Sequence, residues 1–158
     1  MKGLILFESF YGNTKEVAQV IAAQLIAGGH QVTLVDLRET PKPSLEVDFL
    51  LVGSPTRFGK PTRRARKIVK KLDRAHWQNR PIGVFDTHIP IKPEDSEKTR
   101  KWIEPGAAGW LKQMLENAGL KISKEPLRCK VKDMKGPLLD GELDRAKRYA
   151  QEFMAVLR

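Results

Sequence analysis

The sequence has one cysteine, Cys129, in 158 residues. That excludes an internal disulfide framework and any zinc site built on several thiolates. Histidine is scarce too: His30, His76 and His88 are scattered with no metal-ligand spacing, so no metal is expected. Long apolar runs are missing. The opening stretch Leu4–Phe7 stops at Glu8, too short for a signal peptide or a membrane span, and a cytoplasmic protein is expected. Repeats, low-complexity tracts and linkers are likewise absent, which leaves one domain over residues 1–158. Acids are in deficit, 19 against 29 lysines and arginines, for a net charge of +10. Such a balance points to anionic ligands, nucleic acid or acidic partners, and says nothing about fold. Apolar residues at 41% and charged residues at 30% are ordinary for a globular chain and exclude disorder.

What is present alternates. Gly3–Glu8 is a nearly continuous apolar run, the pattern of a strand buried on both faces. Val17, Ile21, Ala22 and Leu25 then recur at helical spacing until Gly28-Gly29, a C-terminal stop. Strands are expected over Gln31–Leu37, Val47–Gly53 and Pro81–Phe85, and a fifth within Lys121–Val131. Helices are expected over Thr62–Leu72, Gly106–Ala118 and Leu139–Leu157. Five strands alternating with helices predict an α/β three-layer sandwich, a five-stranded parallel sheet of order 2-1-3-4-5 with helices on both faces. The one long connection, His88–Pro105, carries three prolines and is longer than the roughly 12–15 residues usual in compact domains. A short helix over Glu94–Ile103 fits within it, led in by Pro93.

In such a sheet ligands bind at the carboxyl ends of the strands, where strand order reverses. The crevice is therefore expected between Ser9–Thr14 and Ser54–Pro61, with Asp86–Ile91 beside them. Ser9-Phe10-Tyr11-Gly12-Asn13-Thr14 is a strand-to-helix turn rich in hydroxyls, with a glycine that lets backbone approach a ligand. Amides at a helix N-terminus suit an anion, and Ser9, Asn13 and Thr14 add neutral donors. The loop has no lysine, and its glycine spacing fits neither the nucleoside-triphosphate loop nor the three-glycine dinucleotide fingerprint. A terminal monophosphate is the ligand group expected.

These residues resemble the phosphate loop of the flavodoxins. Gly53-Ser54-Pro55-Thr56-Arg57-Phe58-Gly59 resembles the second flavin loop of related quinone reductases and flavodiiron proteins. Gly136–Leu143 is similar to the lead-in to the last helix of some small flavodoxin-domain proteins. The resemblance implies a flavodoxin-like fold and a flavin mononucleotide (FMN) with its phosphate on Ser9–Thr14. The ring would lie between the loop of Pro55, Thr56, Arg57, Phe58 and Gly59 and the loop of Asp86, Thr87 and His88, with Phe58 or Phe10 on a ring face. The chain departs from the family at Phe85–Pro90, which has neither the glycines nor the tyrosine of the usual third loop, and in being basic.

Three functions stay open on the sequence: an electron-transfer protein, an FMN-dependent oxidoreductase acting on a quinone or protoporphyrinogen, and a flavin-free binding domain. The catalytic residue is not assigned; His88, for proton delivery, and Arg57, for electrostatic tuning of the flavin, are the candidates. Arg57–Lys71 holds eight lysines and arginines and no acid in fifteen residues. Beyond a solvated helix face, it is a candidate docking patch for an acidic redox partner. It has few interleaved aromatics and matches no nucleic-acid module, which disfavours nucleic acid. Cys129 is expected buried and inert, Trp110 in the core, and Trp102 in the core or as a lid. Glu8 is expected to bond a loop amide.

Overall fold

The computed structural model describes residues 1–157. Five strands, β1 (Lys2–Phe7), β2 (Gln31–Asp36), β3 (Phe49–Pro55), β4 (Ile82–His88) and β5 (Leu127–Lys130), form one sheet of order β2-β1-β3-β4-β5. All four pairings are parallel. The helices are α1 (Asn13–Ala27), α2 (Arg63–Lys70), α3 (Arg74–Trp77), α4 (Glu97–Lys101), α5 (Gly106–Asn117) and α6 (Glu142–Met154).

Alternate side chains of each inner strand enter different cores. Ile5, Phe7, Phe49, Leu51 and Phe85 pack under α1 and α6, against Val17, Ile21, Leu25, Tyr149 and Phe153. Leu4, Leu6, Leu50, Val52, Ile82 and Val84 pack under α2 and α5, against Ala65, Ile68, Leu111 and Leu115. Each large aliphatic or aromatic side chain removed from water in this way stabilises the fold by about 1.5–3 kcal/mol before entropy is subtracted. This is why the inner strands read as continuous apolar runs rather than alternating ones. Position 53 of β3 is held to glycine because a Cβ there would come within 2.1 Å of the Phe85 ring. Among the described residues no helix is long and apolar enough to cross a membrane.

Several boundaries differ from the sequence expectations. The fourth strand does not stop at Phe85: Asp86, Thr87 and His88 belong to β4, because Ser54 and Pro55 pair with it on one side and Arg128, Cys129 and Lys130 on the other. Polar residues stay in strand geometry when ladders on both sides satisfy their backbone. The third strand starts at Phe49, not Val47, and runs to Pro55. The fifth is short: Pro126 has no amide to donate, and Ser123 instead brackets the start of β4, its amide on the Ile82 carbonyl at 2.8 Å. The last helix begins at Glu142 because Leu138 bridges Val131 and Leu139 N–H binds the Lys130 carbonyl. In the long connection the helix is Glu97–Lys101, capped by Ser96, whose hydroxyl accepts the Thr99 amide; Pro93 lies outside it.

Candidate functional site

The carboxyl ends of β1 and β3 lie side by side at the reversal of strand order. Helix α1 starts there with Gly12 as its N-cap, at φ 91°, and no side chain closes the cap. The first amides of a helix have no partner inside it, so those of α1 stay available at the positive end of a 15-residue dipole. The Ser9 hydroxyl accepts the Gly12 N–H at 3.1 Å, which shapes the turn and leaves its own proton to donate. The Thr14 hydroxyl is buried and pairs with that of Thr87 at 2.8 Å, tying the turn to β4. The turn thus brings neutral donors, hydroxyls and open helix amides, together at the start of α1.

A cleft of about 390 Å³ runs from this turn across the ends of β3 and β4, inside the range of roughly 300–1,000 Å³ typical of ligand sites. Phe10, Tyr11 and Asn13 form one side, and Pro55, Thr56, Thr87 and His88 the floor. The far wall comes from the connection after β4, through Ile89, Lys92, Thr99, Trp102 and Ile103, with Val131 and Met134 closing the end near the first turn. Arg57 and Lys60 exchange backbone hydrogen bonds of 2.9 and 3.0 Å, making a tight turn with Phe58 on it. Phe58 is 69% exposed and sits at φ 52°, a conformation that costs a bulky residue about 1–3 kcal/mol. Its ring meets that of Trp102 edge-on at 5.8 Å, and Trp102 is itself 49% exposed.

Behind the floor lies a buried charge pair. Asp86 takes both carboxylate contacts from Arg128 Nε, at 3.1 and 2.9 Å, and accepts the Ala108 amide at 2.9 Å and the Thr56 hydroxyl at 3.2 Å. Thr56 in turn accepts the Ala107 amide at 2.9 Å, and Arg128 donates to the Ile103 carbonyl at 2.9 Å. One carboxylate thus links the Thr56 loop, the start of α5 and the Ile103 wall. Burial pushes the Asp86 carboxyl above its usual range, against the pull of Arg128. His88 donates from Nδ1 to the Ile89 carbonyl at 2.9 Å. Burial, and after it the Arg128 charge, hold its imidazole below the ordinary value, so it is neutral with Nε2 left as an acceptor.

Ser9, Phe10, Tyr11, Asn13, Thr14, Pro55, Thr56, Arg57, Phe58, Thr87 and His88, all expected at the site, line this one cleft. Gly12 and Gly59 shape the two turns without lining it. Asp86 is turned away from the cleft onto Arg128. The Arg57 guanidinium lies toward the first turn, 4.8 Å from the Phe10 ring centre. Glu8 is not on a loop amide but accepts from Arg64 at 2.9 Å, since a buried carboxylate at a strand end needs a charged partner. Trp110 is only half-buried, with Lys60 over its ring at 5.2 Å. Cys129 is buried, and burial pushes its thiol up to about 12.

The sequence reading missed Arg128 and Arg38; the far wall comes from the long connection it had singled out, His88–Pro105, with Trp102 exposed on it rather than in the core. Asp86, an acid closing an apolar strand, signals that some cation must meet it; the sequence does not say which. On α2, Arg63, Lys67 and Lys70 point to solvent, and only Arg64 in that helix is ion-paired among the described residues.

The family model described as a flavodoxin domain matches residues 4–151. Among solved structures, oxidised flavodoxin 1 from Bacillus cereus is 19% identical with a TM-score of 0.77, covering 100% of both chains. Flavodoxin 2 from the same organism is 21% identical with a TM-score of 0.71, over 98% of this chain and 99% of that one. Rubredoxin oxygen:oxidoreductase from Desulfovibrio gigas is 18% identical with a TM-score of 0.67; the match covers 99% of this chain and 37% of that one. At these identities the likeness to the solved structures is one of fold.

Proposed function

Since the chain belongs to the flavodoxin-domain family, the FMN-binding electron-transfer proteins, we propose that FMN binds noncovalently in the cleft at the β1–β3 switch point. The uncapped amides of α1 with Ser9, Asn13 and Thr14 would hold the phosphate, and the Pro55–Phe58 segment with Thr87 and His88 would hold the ring. The donor set fits: it is neutral, converges at a helix N-terminus, and opens directly into an apolar cleft of suitable size. Bound flavin supplies the electron chemistry, while protein dipoles and charges tune its potential. The chain's own part is to seat the phosphate, to keep Thr56 in place through Asp86, and to present the neutral Nε2 of His88 as an acceptor. The observation that carries this reading is the uncapped start of α1 at the mouth of the cleft.

The partner in electron transfer is an acidic protein docking near Arg57–Lys71. The exposed pair Phe58 and Trp102 lines the cleft, Lys98 stands 6.0 Å from the Trp102 ring centre, and the exposed cations Arg57, Lys60, Arg63 and Lys67 lie close to Phe58 in the sequence. Clustered charge of one sign steers association, and exposed aromatics at its centre supply contact area. The chain is read as one cytoplasmic domain over residues 1–158. The wall from Ile89 to Ile103 favours a second reading, an FMN-dependent oxidoreductase with a small quinone-like substrate, because it deepens the cleft beyond the two flavin loops.

The absorption spectrum of the freshly isolated protein is the test. Two visible bands of oxidised flavin, or their appearance when FMN is supplied, are expected. A colourless protein that takes up no FMN in excess rejects the reading. Steady turnover of a quinone with a reduced nicotinamide donor selects the enzyme over the carrier.

A further inference from the structure

Two arginines that the phosphate turn does not contain stand against it. Arg38, two residues beyond β2, donates from a guanidinium nitrogen to the Ser9 carbonyl at 3.1 Å, and its Cζ lies 5.1 Å from the centre of the Phe10 ring. Arg57, from the turn after β3, places its Cζ 4.8 Å from the same centre. Both side chains are exposed. Neither takes part in an ion pair among the described residues; the one carboxylate contact near Arg38 is Asp36 accepting its backbone amide. Two like charges gathered on one ring repel each other, and contact with an aromatic face offsets only part of that. An anion between or beside them removes the repulsion, and the amides of α1 already converge next to Ser9 and Phe10.

We propose that Arg38 and Arg57, held on Phe10, form a cationic clamp on the phosphate end of the cleft. The inference rests on the reading of the cleft as an FMN site. The clamp makes cofactor selection depend on phosphate charge: it favours FMN over the phosphate-free riboflavin and makes FMN affinity sensitive to salt. A phosphate cage of neutral donors alone also favours FMN over riboflavin but makes its affinity depend little on salt, because hydrogen bonds from amides and hydroxyls are screened little by ions at long range, so the salt response is what marks the clamp. Charge on exposed guanidinium groups is screened strongly, with a Debye length falling from about 30 Å at 0.01 M salt to about 8 Å at 0.15 M. Phe10 serves as the platform, which gives an exposed apolar residue in a phosphate turn a task.

The experiment titrates FMN and riboflavin separately into the full-length chain stripped of flavin, following quenching of flavin fluorescence at about 0.01 M and about 0.15 M salt. For the unaltered chain, FMN affinity falls several-fold with salt and riboflavin affinity stays level. Arg38→Gln, outside the ring-holding segment, weakens FMN by about fivefold at low salt, leaves riboflavin unchanged, and flattens the salt dependence; Arg57→Gln likewise flattens the salt dependence of FMN. Arg38→Lys, which keeps the charge, retains most of the FMN affinity. Equal weakening of both flavins in Arg38→Gln, or an FMN affinity indifferent to salt, overturns the clamp while leaving the cleft a flavin site. A chain that takes up neither flavin overturns the cleft reading and the clamp together.

Discussion

Replacing Asp86 by asparagine removes one charge from the pair that joins the Thr56 loop, the start of α5 and the Ile103 wall. Asp86 is fully buried, and the side chain of its partner Arg128 is 23% exposed. Leaving a buried charge without its counter-ion costs about 3–5 kcal/mol. The low end, about 3 kcal/mol, applies here, since Arg128 reaches some solvent and keeps the Ile103 carbonyl. For a urea dependence of about 2 kcal/mol per molar, the unfolding midpoint should drop by about 1.5 M. In a chain of this length the melting temperature should fall by roughly 6–12 °C. Urea titration followed by circular dichroism reads the first, a thermal scan the second. Asp86→Leu combined with Arg128→Met should regain much of the loss, because an apolar pair of similar volume has no desolvation penalty. A single Asp86→Asn variant within about 0.5 kcal/mol of the unaltered protein would refute the argument that this pair is what ties the Thr56 loop, α5 and the Ile103 wall together.

Three further outcomes are expected. Thr14→Ala should reduce FMN affinity by about tenfold, the value of a hydrogen bond to a charged group, as measured by fluorescence quenching; unchanged affinity would remove the phosphate turn from the site. His88 folds as a neutral imidazole with its value depressed below 6.5, so folding sheds a proton wherever unfolded His88 is charged. Its stabilising contribution is whole above about pH 6.5 and declines as pH falls through the depressed folded value. His88→Gln should therefore flatten the loss of stability between about pH 7.5 and pH 5 in denaturant titrations; an identical pH slope would contradict the assignment. Cys129, its thiol held at about 12, should resist alkylation at pH 8 until denaturant is added, and fast labelling of the native protein would show it accessible.

Strand and helix periodicity in the chain is enough to give a parallel sheet covered on both faces, because continuous apolar runs such as Leu4–Phe7 and Phe49–Val52 can be satisfied only by burial on both faces; its order and switch point were expected from the arrangement common for five such strands. The hydroxyl-rich turn before α1 was legible for a local reason: the hydroxyls, the glycine and the start of α1 are neighbours in sequence and make their geometry within six residues. What tertiary structure alone decided is everything that joins distant segments. Asp86 could be read as a loop residue until Ser54 and Arg128, flanking it on neighbouring strands, drew it into β4 and behind the cleft. Arg38 and Arg57 come 19 residues apart in sequence and meet only because β2 and β3 flank β1, bringing both onto Phe10. Charge has no periodicity that announces a partner; which cation meets which acid or ring depends on register between strands, and register is a property of the folded sheet.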